Sequence, residues 1–284
     1  MQGRIIKQIS DLYTIKIKNK IYECKARGVF RNNKITPLVG DLVTIDVEKK
    51  LIIKIENRKN SLVRPPLSNI DQVVVVTSTK KPDFSDNLLD KMLSMLEYNN
   101  IEPIICFTKL DLLNSKEKKE LKKIIKYYKS IGYKVFINTE LRKIKKIFKN
   151  KLTVFSGQSG AGKSTLLNRL DKSLSLKTGE ISQALNRGKH TTRHVELFEL
   201  FSGLVADTPG FSSFDLKTIS KDKLKNTFKE IANNQENCEY KDCSHINEKE
   251  CYIKQLVNNG KILKTRYDNY KKFMNEIERY SKKE

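Results

Sequence analysis

One short stretch constrains this chain more than any other part of its sequence. It is GQSGAGKS, residues 157–164, and it fits the pattern G-x-x-x-x-G-K-[ST] at every fixed position. The apolar run LTVFS precedes it, and the helical pattern STLLNRL follows it. The glycines let successive backbone N–H groups point towards one anion. The pattern therefore predicts a phosphate-binding loop between a buried strand and a helix of an α/β sheet.

The side chains and the backbone of this loop have separate chemical roles. The Lys163 ammonium can reach the terminal phosphates of a nucleotide, and the Ser164 hydroxyl can ligate the accompanying Mg²⁺. The helix that follows adds the partial positive charge of its N-terminus. The predicted nucleotide contacts in the loop are Gly157, Gln158, Ser159, Gly160, Ala161, Gly162, Lys163, Ser164 and Thr165.

A second motif, TKLD at residues 108–111, is suited to reading the base. The Asp111 carboxylate can accept hydrogen bonds from N1–H and the exocyclic amine of guanine, a donor pair that adenine lacks. The aliphatic part of Lys109 can lie along the base. Thr108 stands where most GTP-binding proteins have Asn, so we expect weakened but not abolished guanine recognition. The motif follows the apolar strand IEPIICF, at the sheet edge where ligands bind.

Two further motifs follow the phosphate loop. DTPG, Asp207–Gly210, matches the D-x-x-G that senses a γ-phosphate, with Asp207 binding Mg²⁺ through water and the Gly210 N–H bonding a phosphate oxygen. GKHTTRH, residues 188–194, lies where the first switch of a GTPase belongs. There Thr192, or the adjacent Thr191, would give Mg²⁺ its second hydroxyl ligand. The two motifs support each other because both stand in the correct order.

The order of the motifs differs from that of most GTP-binding proteins. Here the guanine motif precedes the phosphate loop, and the first and second switches come after it. This is the usual cycle of motifs cut at a different point, and it predicts a circularly permuted domain. Circular permutation preserves the spatial contacts, and it is tolerated where the native chain ends lie close together at the surface.

A Cys/His cluster near the C-terminus has the composition of a metal site. It has the form C-x4-C-x-H-x5-C and consists of Cys238, Cys243, His245 and Cys251. Thiolates with imidazole suit Zn²⁺, and four protein ligands imply one closed structural ion. The alternative is a group of scattered reduced cysteines. The other two cysteines, Cys24 and Cys106, lie in apolar strand patterns and are predicted core residues.

The pattern of the chain divides it into three predicted domains. Alternation with period two predicts a small β-barrel over residues 1–64, of the oligonucleotide-binding (OB) type or a generic β-module without nucleic-acid contact. RPPLSN, residues 64–69, contains two successive prolines and is predicted to be a linker. Over 65–216, apolar runs alternate with helical patterns, which predicts a doubly wound sheet in the permuted P-loop domain. The predicted buried strands include QVVVVTS (72–78), IEPIICF (101–107), YKVFIN (133–138) and LTVFS (152–156). Helical patterns, among them KDKLKNTFKEIANN at residues 221–234, flank the Cys/His cluster in 217–284. The predicted fold class is therefore multidomain α/β.

The composition indicates a polyanionic partner. The 56 Lys and Arg residues outnumber 33 Asp and Glu, and the formal net charge is +23. The alternative is that the abundance of Lys, Ile and Asn reflects a biased genome composition. No run approaches the ~18 apolar residues of a spanning helix, and the first residues lack the pattern of a signal peptide. We therefore expect a cytoplasmic protein without a membrane partner. The odd cysteine number argues against a disulfide framework, and the lack of heptads favours a monomer.

In their order, these features resemble the ribosome small-subunit-dependent GTPase A family, the circularly permuted GTPases of bacterial 30S maturation. The resemblance covers nearly the whole chain and rests on RPPLSNIDQ, TKLD, GQSGAGKST, GKHTTRHVEL, DTPGF and the Cys/His cluster. It implies a barrel that contacts 16S rRNA, a centre that hydrolyses GTP to GDP, and a zinc-binding C-terminal domain. It also implies that the 30S subunit stimulates hydrolysis. Two alternatives stay open: a P-loop ATPase, and an RNA-binding assembly factor with a structural nucleotide.

The residue after D-x-x-G bears on catalysis. Ras-like GTPases have a water-orienting Gln there, whereas this chain has Phe211, which cannot form a hydrogen bond. We therefore expect slow intrinsic hydrolysis, with the water positioned by His190, by His194 or by a ribosomal group. An ordinary surface or packing role is the alternative for either histidine. Lys163 and the Mg²⁺ ligands, among them Thr192, would stabilise the developing charge.

Overall fold

The structure is a computed structural model of the chain. It describes residues 1–28, 30, 35–63, 65–174, 195–207 and 216–281, with the side chains of Ser173 and Asp207 left out. No helix within these ranges is long and apolar enough to cross a membrane.

Contacts divide the chain into two compact units. Unit one comprises Met1–Val76 and Asn138–Ser213, and unit two comprises Thr77–Ile137 and Phe214–Glu284. Each unit therefore contains two separate stretches of the sequence. This division follows contact density and does not test the bounds of the three predicted domains, which stay predictions.

Five strands at the start of unit one close into a barrel. They are β1 (Gln2–Ile9), β2 (Leu12–Ile17), β3 (Lys20–Ala26), β4 (Leu42–Asp46) and β5 (Leu51–Ile55). Their order is β1-β2-β3-β5-β4, and β4 pairs back to β1, which closes the ring. Alternate side chains point inwards, and the buried ones are Ile5, Tyr13, Ile15, Cys24, Val43, Ile45 and Ile52. The predicted N-terminal β-barrel is confirmed.

The Pro-Pro stretch after the barrel is packed, although the sequence predicted a linker over 64–69. Leu67 and Ser68 are fully buried. They form β7 (Leu67–Ser68), which pairs with β6 (Ser61–Leu62), and the Ser68 N–H donates to the Val39 carbonyl at 3.0 Å. Two prolines limit the length of a strand ladder, but they do not prevent the burial of an apolar side chain such as Leu67.

Strands and helices alternate through the middle of the chain. In order they are β8 (Gln72–Ser78), α1 (Asp86–Tyr98), β9 (Glu102–Thr108), α2 (Ser115–Ser130), β10 (Lys134–Ile137), α3 (Leu141–Lys146), β11 (Leu152–Ser156), α4 (Lys163–Leu170), β12 (Glu196–Leu200) and β13 (Gly203–Asp207). The four strands predicted in 72–156 are all present, each within one residue of its predicted ends. This confirms the mixed α/β architecture.

In unit one, β11 lies between β8 and β13 and is parallel to both. β12 is antiparallel to β13, and the two-residue turn Phe201-Ser202 joins them. β12 was not predicted from the sequence, because Glu196 and Glu199 interrupt its apolar residues, whereas the predicted buried strands are continuous apolar runs. β12 also pairs with β1, where Lys7 and Glu196 form an ion pair of 2.8 Å. The barrel and the sheet of unit one are therefore continuous.

In unit two, β9 and β10 are parallel neighbours, and helices form the rest. The C-terminal helices are α5 (Lys221–Leu224), α6 (Lys229–Ala232), α7 (Tyr252–Asn258) and α8 (Lys264–Ser281). The helical pattern predicted over 221–234 is broken at Phe228, whose backbone is extended and whose ring is fully buried. Burial of this ring outweighs helix continuity.

One apolar core joins these C-terminal helices, and Met95 and Tyr98 of α1 pack against it. Its fully or nearly fully buried members include Leu216, Ile219, Leu224, Phe228, Ile231, Ile253, Tyr270 and Phe273. Phe228 lies at its centre, in edge contact with Tyr270 at 5.3 Å between ring centroids.

Arg266 of α8 is fully buried beside this core. Its guanidinium donates to both carboxylate oxygens of Glu230 at 2.7 and 2.8 Å, and to Asp90 of α1 at 2.7 Å. Tyr128 and Asn269 donate to the two oxygens of Asp90 at 2.6 and 2.7 Å. Burial lowers the pKa of Arg266, but Asp90 and Glu230 outweigh it and raise that pKa well above its usual value. The arginine therefore stays charged.

Replacing Arg266 by Met should lower the free energy of unfolding by about 3–5 kcal/mol, because Asp90 and Glu230 would stay buried without their cation. Urea unfolding measures this loss. Lys271→Ala is the matched control on the same helix: its ion pair with Asp268 is solvent-exposed, so we expect a change within about 0.5 kcal/mol. A loss under about 1 kcal/mol for Arg266→Met would show that the network does not stabilise the fold.

Candidate functional site

The phosphate loop connects β11 to α4, as the sequence predicted. Gly157 has a φ of +137°, and a Cβ there would lie 2.0 Å from the carbonyl oxygen of Val76 in β8. Only glycine fits this close approach of two backbones. Gly160 and Gly162 also have positive φ, at 73° and 94°. These conformations turn the chain sharply, as a loop of inward-pointing N–H groups requires.

Lys163 is the first residue of α4 and lies folded over the loop. Its ammonium donates to the carbonyl oxygens of Gly157 at 2.7 Å and Gln158 at 2.8 Å. Burial lowers the pKa of Lys163 below its usual value. The next residue, Ser164, is buried as well. Among the described residues, no side-chain hydrogen bond caps α4 at Gly162, and an uncapped helix N-terminus is suited to binding an anion.

The guanine motif lies in unit two, at the carboxyl end of β9. Thr108 is the last residue of the strand and is buried. Lys109 follows in the left-handed conformation, with φ 59° and ψ 33°, and a short 3₁₀ turn, Leu110–Leu112, then carries Asp111. Asp111 is exposed to solvent. A carboxylate on an exposed turn after a parallel strand is placed to accept hydrogen bonds from a ligand.

The structure places only part of the two switch motifs. Asp207 is the last residue of β13, where its backbone pairs with Glu196. The other predicted switch residues, His190, Thr191, Thr192, His194, Gly210 and Phe211, lie outside the described residues, as does the side chain of Asp207. Their predicted roles therefore stay predictions.

The four residues of the Cys/His cluster lie together in unit two. The ligand atoms of Cys238, Cys243, His245 and Cys251 are all within 4.8 Å of one another. His245 Nδ1 is 3.5 Å from the sulfurs of both Cys238 and Cys251, and those two sulfurs are 4.0 Å apart. A tetrahedral ion with metal–sulfur bonds of about 2.3 Å and metal–nitrogen bonds of about 2.0 Å would give S···N and S···S distances of about 3.5 and 3.8 Å. The cluster therefore fits one metal ion.

The protonation chemistry of the cluster agrees with this assignment. Burial lowers the pKa of His245 to about 4, which keeps the imidazole neutral, as a ligand must be. Burial raises the pKa of Cys243 to about 12. Such a thiol becomes a thiolate only beside a strong local cation, and a bound metal ion supplies one.

The backbone around His245 is fixed from α8. Its φ is +62°, which is rare for a residue with a side chain. Tyr267 donates its hydroxyl to the His245 carbonyl at 2.7 Å, and Tyr270 donates to the Ser244 carbonyl at 2.8 Å. Glu248 accepts from the Ser244 and Ile246 N–H groups at 2.6 and 2.9 Å. These contacts orient the imidazole towards the cysteines.

One residue near the guanine motif was missed by the sequence analysis. Thr79 is buried just after β8, and its hydroxyl lies 3.0 and 2.9 Å from the carbonyl oxygens of Thr108 and Lys109. These partners are 29 and 30 residues away in the sequence. No local pattern could have revealed such a contact, since VTSTKKP matches no motif.

Family models and individual relatives of known sequence point to the same family. The model of the RsgA N-terminal domain matches residues 2–51, and the model of the RsgA GTPase matches residues 55–217. The small ribosomal subunit biogenesis GTPase RsgA of Bacillus velezensis is 48% identical over 287 residues, which cover 97% of each chain. The protein of the same name from Bacillus subtilis is 44% identical, again over 97% of both chains.

Solved structures agree with these sequence matches. The crystal structure of YloQ, described as a circularly permuted GTPase, has a TM-score of 0.83 at 39% identity and covers 98% of this chain and 94% of its own. That of YjeQ from Thermotoga maritima has a TM-score of 0.84 at 32% identity, with 97% and 98% covered. The predicted permuted GTPase fold is confirmed. Because two family models match in order and relatives align along nearly the whole length, this chain belongs to the RsgA GTPase family.

Proposed function

We propose that this protein hydrolyses GTP to GDP and phosphate and assists late maturation of the small ribosomal subunit. The observation that carries the proposal is the phosphate loop, where the positive φ of Gly157 turns the backbone sharply and the Lys163 ammonium lies over the loop. The names of the relatives, which are small ribosomal subunit biogenesis GTPases, support the biological role. Such a role belongs in the cytoplasm.

The phosphates would contact the backbone N–H groups of residues 157–165, the Lys163 ammonium and the start of α4. Lys163 would then exchange its two carbonyl acceptors for phosphate oxygens, so its charge stays solvated throughout. Ser164 and Thr192 would ligate Mg²⁺, Asp207 would bind it through water, and Gly210 would contact the γ-phosphate. Mg²⁺ supplies positive charge that neutralises the phosphate oxygens.

Guanine would be read by the TKLD motif. Asp111 would accept from N1–H and the exocyclic amine, while Lys109 would cover one face of the base. The exposed position of Asp111 on its turn supports this role. The Thr108 hydroxyl donates to the Thr77 carbonyl at 3.4 Å. Thr108 would therefore help to position the turn and would not contact the base through its side chain.

The attacking water would be positioned by His190, or by a group of the ribosomal subunit, because Phe211 cannot do so. This arrangement explains why such an enzyme would depend on its partner for full activity. Lys163 would stabilise the charge that develops on the phosphoryl group.

The Cys/His cluster would bind one structural Zn²⁺. Cys238, Cys243, His245 and Cys251 form a closed set of soft ligands, which selects zinc over magnesium or calcium. The metal would fix the loop between the short helices that precede it and α7.

The barrel would contact 16S rRNA of the 30S subunit, and the protein would act as a monomer. Residues 1–64 contain 15 Lys and Arg against 6 Asp and Glu. An excess of this size attracts the phosphate backbone of RNA.

Hydrolysis assays test the proposed function. With purified 30S subunits, GTP turnover should rise at least about tenfold, because the subunit supplies the missing group. With 50S subunits, or with ATP in place of GTP, turnover should stay near the slow intrinsic rate. Equal slow rates in every mixture would favour a structural nucleotide. In the same assay, His190→Ala should abolish the stimulation and leave GTP affinity intact if His190 positions the water.

Replacing Asp111 by Asn should weaken GTP binding about 10- to 100-fold, because a charge-assisted pair of hydrogen bonds to guanine is lost. Competition of GTP and ATP for the purified variant measures the effect. Glu120→Gln, which removes an exposed carboxylate from α2, is a matched control and should bind GTP normally. A protein that prefers ATP, or that ignores the Asp111 change, would be a P-loop ATPase.

Replacing Cys243 by Ala should remove the bound zinc and lower the melting temperature, because the apolar contacts of the C-terminal module alone do not fix its loop. Metal analysis of the purified variant gives the zinc content. Cys24→Ala is the matched control: it alters a buried cysteine of the barrel and should retain one zinc per chain. Full zinc content in Cys243→Ala would exclude the assigned ligand set.

A further inference from the structure

Thr79 forms hydrogen bonds with the guanine motif through both its backbone and its side chain. It follows β8 and is 7% exposed. Its N–H donates to the Thr108 carbonyl at 3.2 Å, and its hydroxyl lies between the Thr108 and Lys109 carbonyls, at 3.0 and 2.9 Å. The single hydroxyl proton of one buried side chain is therefore within reach of two consecutive carbonyl oxygens of the turn that presents Asp111.

These contacts fall where the turn is strained. Lys109 has the left-handed conformation, with φ 59°, which costs a residue with a side chain on the order of 1 kcal/mol. The carbonyl of Lys109 also accepts the Leu112 N–H at 3.1 Å, the bond that closes the turn around Asp111. A donor that fixes this carbonyl therefore fixes the direction in which Asp111 points.

A second side chain, that of Thr108, also links this turn to the end of β8. Here the Thr108 hydroxyl lies 3.4 Å from the Thr77 carbonyl, so it contacts the end of β8. Thr79 also contacts this turn from the end of β8. Its hydroxyl is 2.9 Å from the Lys109 carbonyl, a shorter distance than the 3.4 Å between the Thr108 hydroxyl and the Thr77 carbonyl.

We propose that Thr79 is a positioning residue for guanine specificity: its hydroxyl fixes the Lys109–Asp111 turn so that Asp111 meets the N1–H and amine of guanine. The inference rests on the proposed function. It makes the affinity for guanine nucleotides, and not the chemical step, depend on a residue outside the known motif.

The neighbouring side chains have other partners. The Ser78 hydroxyl donates to the Lys80 carbonyl at 2.6 Å, within its own segment. The Lys80 ammonium pairs with Glu117 of α2 at 2.7 Å. Ser78 is buried like Thr79, at 2% against 7% exposed, but no hydrogen bond described in the structure joins it to Thr108 or Lys109. It therefore offers a matched control for the loss of a buried hydroxyl.

The test compares Thr79→Val, Thr79→Ala and Thr79→Ser with the wild-type full-length protein. Val retains the size of the side chain without its donor, and Ser retains the donor. The dissociation constants of GDP, ADP and inorganic tripolyphosphate are measured together with 30S-stimulated kcat and the melting temperature. Thr79→Val and Thr79→Ala should weaken GDP binding about tenfold. ADP, tripolyphosphate and kcat at saturating GTP should change less than about twofold, and Thr79→Ser and Ser78→Ala should match the wild type.

The outcomes separate the two proposals. Unchanged GDP affinity in Thr79→Val and Thr79→Ala, while Asp111→Asn still weakens it, would overturn the role of Thr79 and leave the GTPase proposal intact. Equal losses for GDP, ADP and tripolyphosphate would show that Thr79 serves the fold alone, which also overturns the inference. A wild-type protein without preference for GDP over ADP would instead contradict the proposed function itself.

Discussion

The close approach of the Gly157 backbone to the carbonyl of Val76 determines the geometry of the phosphate loop. β11 and β8 pair up to Ser156 and Val75, so the loop leaves the sheet at the point where the two strands are held together by backbone bonds. Any Cβ at position 157 would force them apart. The contact joins residues about 80 positions apart. The loop is therefore shaped by tertiary pairing, not by its local sequence alone, and moving the chain ends elsewhere leaves this pairing unchanged.

Unit two combines an apolar core with a buried ion network and with the Cys/His cluster that fits a metal ion. The Arg266 guanidinium bridges Asp90 and Glu230, and its carbon lies 4.5 Å from the centre of the Phe228 ring. Phe228 in turn contacts Tyr270, which donates to the loop of the metal cluster. A buried ion network contributes little net stability, because desolvation offsets the attraction, but breaking it is costly. The ion network and the loop of the Cys/His cluster therefore both contact α8, the network through Arg266 and the loop through Tyr270.

The features that the sequence predicted well share a local cause. Buried parallel strands are continuous apolar runs, so β8 and β11 were placed to the residue, and the phosphate loop was identified from glycines whose φ values are indeed positive. β12 was missed because two glutamates, Glu196 and Glu199, interrupt its apolar residues. The break at Phe228 was missed because burial in a distant core decides it. Thr79 was missed because its partners are set by the strand order, which no short pattern encodes.

Both predicted nucleotide-contacting segments are held by hydrogen bonds within the chain. In the phosphate loop, Lys163 already spans the carbonyls of Gly157 and Gln158, and three glycines adopt conformations with positive φ. In the guanine motif, Lys109 is fixed in a left-handed conformation by bonds to its carbonyl. Rigid segments lose little conformational entropy when a ligand binds, so more of the contact energy remains as affinity. The hydrogen bonds from the end of β8 to the turn therefore offset part of the loss of affinity that we expect from Thr108 in place of Asn.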